Sequence, residues 1–372
     1  MSDEQPEGEP RGLLDRWLPA DGLLHRLSQR RLRQEEAIGA ALLAALIVAL
    51  MTHLAWGAMS GDAPAPSPAV VASPPSSPTP SSGPQPKGPV TMGFAPSGIA
   101  FWSPNHGLIA GTTSCRSCKV AHEGVLATTA DGGKTWHVVY RTPHTLTDVT
   151  TLGAKEAWAT GNNLVVHTTN AGQSWRAVAH ETLAHPTFAS PSLGWAVAGT
   201  SAKTGIVETV DGGRRWGRIS DPCHQKLTGL AGADAGANVF SVVDVSLLGA
   251  GHGVAYCVGD GAGGSAPQGV FETFDDGVTW FQRWADVTVA PGGIMMLSTG
   301  HGWRWGASDR LTATADGGRT WRPLPPAGPG DVKIAWATAS SAGYALTGGP
   351  RFELVRTANG STWKIVTRFP TG

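Results

Sequence analysis

The chain has 372 residues, a formal net charge of zero and 15% charged residues, with 50 glycines, 27 prolines and 15 tryptophans. That balance excludes the strongly basic surface on which nucleic-acid binding depends. The length leaves ample chain for one sizeable core beside a targeting segment.

From the N-terminus, residues 11–33 pair leucines with arginines, and Pro19 and Gly22 break them into two short segments. They read either as a stretch lying on a membrane surface or as a disordered basic flank. Residues 37–59 are 23 apolar, uncharged residues, enough to span a hydrocarbon core of about 30 Å. Arg26, Arg30, Arg31 and Arg33 precede the run, and no Lys or Arg follows until Lys87. The charge asymmetry predicts a single transmembrane helix with residues 1–36 cytoplasmic and the rest of the chain extracytoplasmic, at the cell surface or in a periplasm. The alternative is a cleaved signal peptide, against which stand the 36 residues ahead of the run. Residues 60–91 are rich in Pro, Ser and Ala, with ten prolines from Pro64 to Pro89. Such a composition builds no core and reads as a semi-rigid extracytoplasmic linker.

Residues 92–372 carry one phrase six times: TADGGKTW (129–136), TTNAGQSW (168–175), TVDGGRRW (209–216), TFDDGVTW (273–280), TADGGRTW (314–321) and a copy one residue shorter, TANGSTW (357–363). The terminal tryptophans, Trp136, Trp175, Trp216, Trp280, Trp321 and Trp363, are spaced by 39, 41, 64, 41 and 42 residues. A period near 40 suits one four-stranded propeller blade. Asp131, Asn170, Asp211, Asp275, Asp316 and Asn359 are placed to accept backbone N–H groups about two residues on and so lock a turn. Gly133, Gly172, Gly213, Gly277 and Gly318 supply a residue that tolerates positive φ. In the short sixth copy Gly360 is shifted, which predicts an altered turn, and the third copy has Arg215 where the others have a hydroxyl. A second column, Gly107-Leu108, Ala157-Trp158, Gly194-Trp195, Gly253-Val254, Gly302-Trp303 and Gly343-Tyr344, precedes each copy. Each unit therefore reads as strands A, B, C and D, with the column on B and the repeated phrase turning C into D.

These residues resemble the Asp-box, or bacterial neuraminidase repeat, of the sialidase-like β-propellers. The resemblance covers about residues 92–372. It implies an all-β propeller of six blades, or seven if one blade carries no box. It does not select an activity, because propellers of this kind include sialidases, xyloglucanases, sortilin-type receptors and photosystem II assembly factors.

The irregularities in the repeat say where a function sits. From the column to the box Trp, blades 2, 3, 5 and 6 take 18, 22, 19 and 20 residues, whereas blades 1 and 4 take 29 and 27. The stretch from Trp216 to Gly253 is also long, 37 residues against 19–22 elsewhere. B–C and D–A connections leave a propeller on one face, so all three insertions are expected on the face opposite the boxes, where a binding function is expected too. The four cysteines fall in the same segments and predict disulfides, Cys115 with Cys118 and Cys223 with Cys257. No second CxxC accompanies Cys115 and Cys118, so no metal is expected. His106, His252 and His301 sit on separate blades and read as turn residues.

A sialidase needs three arginines around the substrate carboxylate, a Tyr–Glu pair and an aspartate. The Arg-Ile-Pro motif that normally brings the first arginine is missing, and Tyr140, Tyr256 and Tyr344 have no patterned carboxylate partner. Arg214, Arg215 and Arg218 read as a solvated edge rather than a partner-binding patch. Asp148 and Asp244, on the innermost strands of blades 2 and 4, are the candidate carboxylates for glycoside hydrolysis. Two non-adjacent blades are expected to hold them too far apart. The sequence thus favours a membrane-anchored, non-catalytic module that binds a protein or a glycan, uses no cofactor and binds no nucleic acid. A cell-surface glycoside hydrolase is the alternative.

Overall fold

The computed structural model describes residues 88–90, 93–114, 122–200, 203–231, 234–261, 265–289, 291–306, 311–328, 330–349 and 351–369. The predicted membrane helix at 37–59, most of the linker, and Cys115 and Cys118 lie outside the described residues. Among the described residues no helix is long and apolar enough to cross a membrane.

Six four-stranded antiparallel sheets follow one another along the chain. Blade 1 comprises β1 (Phe94–Phe101), β2 (Gly107–Ser114), β3 (His122–Thr129) and β4 (His137–Thr142); blade 2 comprises β5 (Leu146–Leu152), β6 (Glu156–Gly161), β7 (Leu164–Thr168) and β8 (Arg176–Ala179). Blade 3 has β9 (Leu183–Phe188), β10 (Gly194–Thr200), β11 (Lys203–Thr209) and β12 (Gly217–Arg218), and blade 4 has β13 (Ser241–Gly249), β14 (His252–Val258), β15 (Ser265–Thr273) and β16 (Phe281–Val289). Blade 5 is β17 (Pro291–Met296), β18 (Gly302–Gly306), β19 (Thr312–Thr314) and β20 (Arg322–Pro323), and blade 6 is β21 (Asp331–Ala339), β22 (Ala342–Gly348), β23 (Phe352–Thr357) and β24 (Trp363–Phe369). The first strand of each blade contacts the first strand of the next, and β21 meets β1. The ring is therefore a closed six-bladed propeller.

Box and column are halves of one device. The column residues Gly107, Ala157, Gly194, Gly253, Gly302 and Gly343 pair directly with the box threonines Thr129, Thr168, Thr209, Thr273, Thr314 and Thr357. In the first box the Thr129 hydroxyl donates to Asp131 at 2.8 Å and accepts from the Gly133 N–H at 2.8 Å. The same pair of bonds recurs in the other boxes. The carboxylate of Asp131 then accepts the N–H of Thr135, four residues on and not two. The turn is wider than an Asx turn because two successive residues, Gly132 and Gly133, take positive φ. In the sixth box the Thr357 hydroxyl reaches Gly360 after three residues instead of four, the altered turn its length predicts. Arg215 restores what the third box lacks, since its Nε donates to Asp211 at 2.9 Å where Thr135, Thr279 and Thr320 use a hydroxyl.

The core is a set of six wedges, one between each pair of neighbouring blades. Column aromatics fill them. Trp158 is fully buried, stacks on Phe188 of the next blade at 3.6 Å, and donates its indole N–H to the Gly212 carbonyl in that blade's box. Trp303 reaches the Ser340 carbonyl in the same way, and Tyr344 closes the ring by stacking on Phe101 and donating to the Pro104 carbonyl at 2.6 Å. Glycine in the column makes room for these rings. A Cβ on Gly253 would stand 2.3 Å from Trp195, and one on Gly343 would stand 2.7 Å from Trp303. The last residues assigned to the linker also join the fold, since Gly88 and Val90 flank Trp136 and Val138 along the outer edge of blade 1.

The long connection after Trp216 is more than a loop: residues 224–226 and 234–236 are exposed, but part of the segment is core. Cys223, Leu227 and Val239 are buried in the wedge between blades 3 and 4 with Trp195, Val242 and Phe271. Cys223 is joined to Cys257 of β14, with 5.4 Å between the Cα atoms, and both are fully buried. The two-residue β12 explains this arrangement. Blade 3 has almost no outer strand, and the following segment supplies the apolar surface that such a strand would have brought.

Candidate functional site in the central channel

Each innermost strand carries an extra residue relative to its partner at the same height in every blade, and β13 and β21 carry a second one further along. The residues opposite the column are Phe101, Thr151, Phe188, Leu247, Met296 and Ala337. Three residues upstream of each lies one ring layer, which reads Gly98, Asp148, His185, Asp244, Gly293 and Ile334. Three consecutive blades thus place Asp, His and Asp at one level, near the D–A end of the channel.

The imidazole bridges the carboxylates. His185 Nδ1 stands 3.5 Å from Asp148 Oδ1 and 3.7 Å from Asp244 Oδ1. Those two oxygens are therefore at most about 7 Å apart, within the range that carboxylate pairs span in glycosidases. The expectation that blades 2 and 4 hold Asp148 and Asp244 too far apart is thus corrected, because blade 3 inserts a residue between them. His185 has φ of 51°, a conformation rarely taken by a side-chain-bearing residue, and the following Pro186 restricts it further. This strained bulge turns the ring toward the axis. The flanking glycines are required by the same cluster: a Cβ on Gly98 would lie 2.9 Å from the Asp148 Cα, and one on Gly293 would lie 2.5 Å from Asp244 Oδ2.

The two carboxylates are held differently. Asp244 is 4% exposed and accepts the N–H groups of Val245 at 2.7 Å and Ile294 at 2.8 Å. Burial pushes its pKa up to about 6, and the His185 charge and the two backbone donors only partly oppose that. Asp148 is 7% exposed, and among the described residues no N–H or O–H donates a hydrogen bond to it; its ionic neighbour is the His185 ring. For His185, burial disfavours the charged ring, but the Asp244 and Asp148 charges outweigh burial and raise its pKa. The cluster faces a cavity of about 190 Å³ walled by Ile99, Ile294, Met296, Trp305 and Trp336. That volume is below the 300 Å³ or more usual for small-molecule sites.

The other candidate residues stay apart from this cluster. His106 bonds Ser103, and His252 bonds Glu272 at 2.7 Å and stacks on Phe274, each at its own turn. Among the described residues no group of three His, Cys, Asp or Glu side chains is placed to hold a metal ion. Tyr256 lies behind Asp244, where burial pushes its pKa up to about 12, and its hydroxyl donates to Gln268. Arg304 turns away from the channel and lies 3.8 Å from the Trp284 ring centroid. Among the described residues no arginine lines the cavity. Arg214 and Arg215 serve their own box, bonding the backbone and the carboxylate of Asp211. The box end is not wholly polar either, since Phe274, Val278 and Phe281 around the fourth box are 54%, 63% and 53% exposed.

No family model matches the chain, and no curated protein matches it by sequence. Solved structures with a similar arrangement include YCF48 bound to D1 peptide, at 15% identity and a TM-score of 0.40 over 70% of this chain and 94% of that one. They also include the GH93 α-L-arabinofuranosidase of Fusarium graminearum with arabinobiose, at 12% identity and a TM-score of 0.47 over 69% and 88%. The SapL1 lectin in complex with α-methyl fucoside is similar at 10% identity and a TM-score of 0.48 over 76% and 97%.

Proposed function

We propose that this chain is a membrane-anchored, extracytoplasmic recognition module that docks a protein or a glycan on the D–A face of its propeller without transforming it. One observation carries the reading: the His185 ring stands between the two channel carboxylates in a cavity of about 190 Å³. A glycosidic bond must lie between an acid and its partner carboxylate, and here that space is filled by protein. Among the described residues no arginine stands in the cavity wall to supply the carboxylate grip that a sialidase uses. The anchor follows from the apolar run at 37–59 and the arginines ahead of it.

A glycoside hydrolase remains the second reading, because Asp244, with its pKa near 6, has the character of a general acid. The full-length chain, tested on a glycan array and in parallel against fluorogenic sialosides and related glycosides, separates the two. Saturable binding without turnover is expected. Turnover lost in Asp148→Asn would overturn the proposal.

A further inference from the structure

We infer that the Asp148–His185–Asp244 layer is a receptor for a primary ammonium group on a short aliphatic stem, entering the channel from the D–A end. The inference deepens the recognition reading and rests on it only for the identity of the donor.

Geometry supports it first. Neither contact of His185 is a hydrogen bond of ordinary length, at 3.5 and 3.7 Å from the two carboxylates. Asp244 has its backbone donors, whereas the Asp148 side chain is 11% exposed and faces the cavity; among the described residues its polar neighbour is the His185 ring at 3.5 Å, and no hydrogen bond is donated to it. Its carboxylate is therefore open to a donor that enters from the cavity. An ammonium group brings three donors and one positive charge to a layer holding two carboxylates and one imidazole.

The walls fit the rest of the guest. Ile99, Ile294 and Met296 supply apolar contact for methylenes, and Trp305 and Trp336 supply ring surface. A cavity of about 190 Å³ has room for a stem of about four carbons and its head group. The apolar walls favour an ammonium on a stem over a bare metal ion, in line with the lack of a metal-competent cluster among the described residues. The layer also explains the strained His185 backbone. Its imidazole stands between the two carboxylates and sets their spacing. Free amines and a lysine side chain of a docked protein share this chemistry.

Calorimetric titration of the full-length chain with n-butylammonium, N-acetyl-lysine methylamide, n-butanol and calcium chloride at pH 7.5 tests the inference. Saturable 1:1 binding of one or both amines is expected, with none for butanol or calcium. Asp148→Asn, removing one charge-assisted contact, is expected to weaken amine binding by about tenfold or more. Should that variant fail to fold, the His185 ring resonances of the unaltered chain provide the readout. Bound amine offsets the carboxylate charges that raise the ring pKa, so that pKa must fall on saturation. A lysine derivative at least as tight as butylammonium assigns the guest to a partner's side chain; a tenfold preference for butylammonium assigns it to a free amine. No saturable amine binding, binding of calcium instead, or an unmoved His185 titration would overturn the inference. Because these probes need no partner, its failure is distinguishable from failure of the docking proposal.

Discussion

Replacing Asp244 by Asn is expected to flatten the pH dependence of stability between pH 4 and 7. The folded chain holds this carboxyl at a pKa of about 6 against an ordinary value of 3.8. A carboxyl raised on folding contributes its stability below the unfolded value and loses it as the pH climbs through the folded one. Two units correspond to about 3 kcal/mol. His185 acts in the same direction, because its raised pKa favours folding only while the ring is protonated. The unaltered chain should therefore lose stability on the order of 3 kcal/mol between pH 4 and pH 7 from this cluster. Asn keeps the size of the side chain but presents an NH₂ group to one of two backbone donors, Val245 or Ile294. Losing that bond costs about 1–3 kcal/mol independently of pH. The variant should be the weaker protein at pH 4 and nearly level with its parent at pH 7. Urea unfolding followed by tryptophan fluorescence at half-unit pH steps measures both curves. Parallel curves across this range would refute the account of a buried, coupled Asp244–His185 pair.

The remaining predictions concern the frame that holds the site. Asp131 and Asp316 are held at about 2, the first chiefly by the Thr135 N–H and the second by the Thr320 hydroxyl. Their contribution is complete above pH 4 and is lost as the pH falls toward 2, so with the channel cluster they place the stability maximum near pH 4–5 in the same titration. Gly253→Ala drives a Cβ to 2.3 Å from the Trp195 ring and should cost about 1–3 kcal/mol, read as a fall in Tm of several degrees. Cys223→Ser with Cys257→Ser should cost about 2–4 kcal/mol and open the 219–240 segment to limited proteolysis, which mass mapping of the first cut would locate. Trp158→Ala removes a ring stacked across two blades and should cost about 3–5 kcal/mol by the same urea measurement.

Much of this frame is legible in the sequence because the box is a local device. Thr, Asp and Gly at fixed offsets set the turn, and the column residue on the preceding strand is fixed opposite the box Thr by antiparallel register. What the sequence hides is set by packing between blades. The long segment after Trp216 reads as a loop, yet Cys223, Leu227 and Val239 fill a wedge that the stunted β12 leaves open. His185 is the clearest omission. Its neighbours in sequence, Leu-Ala-His-Pro-Thr-Phe, carry no motif, and only counting three residues upstream of Phe188, as for Asp148 from Thr151 and Asp244 from Leu247, puts it in the same layer. The wide separation that blade number implies for Asp148 and Asp244 does not occur, because blade 3 places the His185 ring within 3.7 Å of both carboxylates.

Whether the channel carboxylates recognise or catalyse is decided by turnover. A panel of fluorogenic glycosides, incubated with the full-length chain at pH 5–7 beside an Asp148→Asn, Asp244→Asn double variant as blank, measures it directly. A recognition module gives rates equal to the blank for every glycoside. A rate above the blank that disappears in the double variant would contradict the account and make Asp244 the acid of a hydrolase.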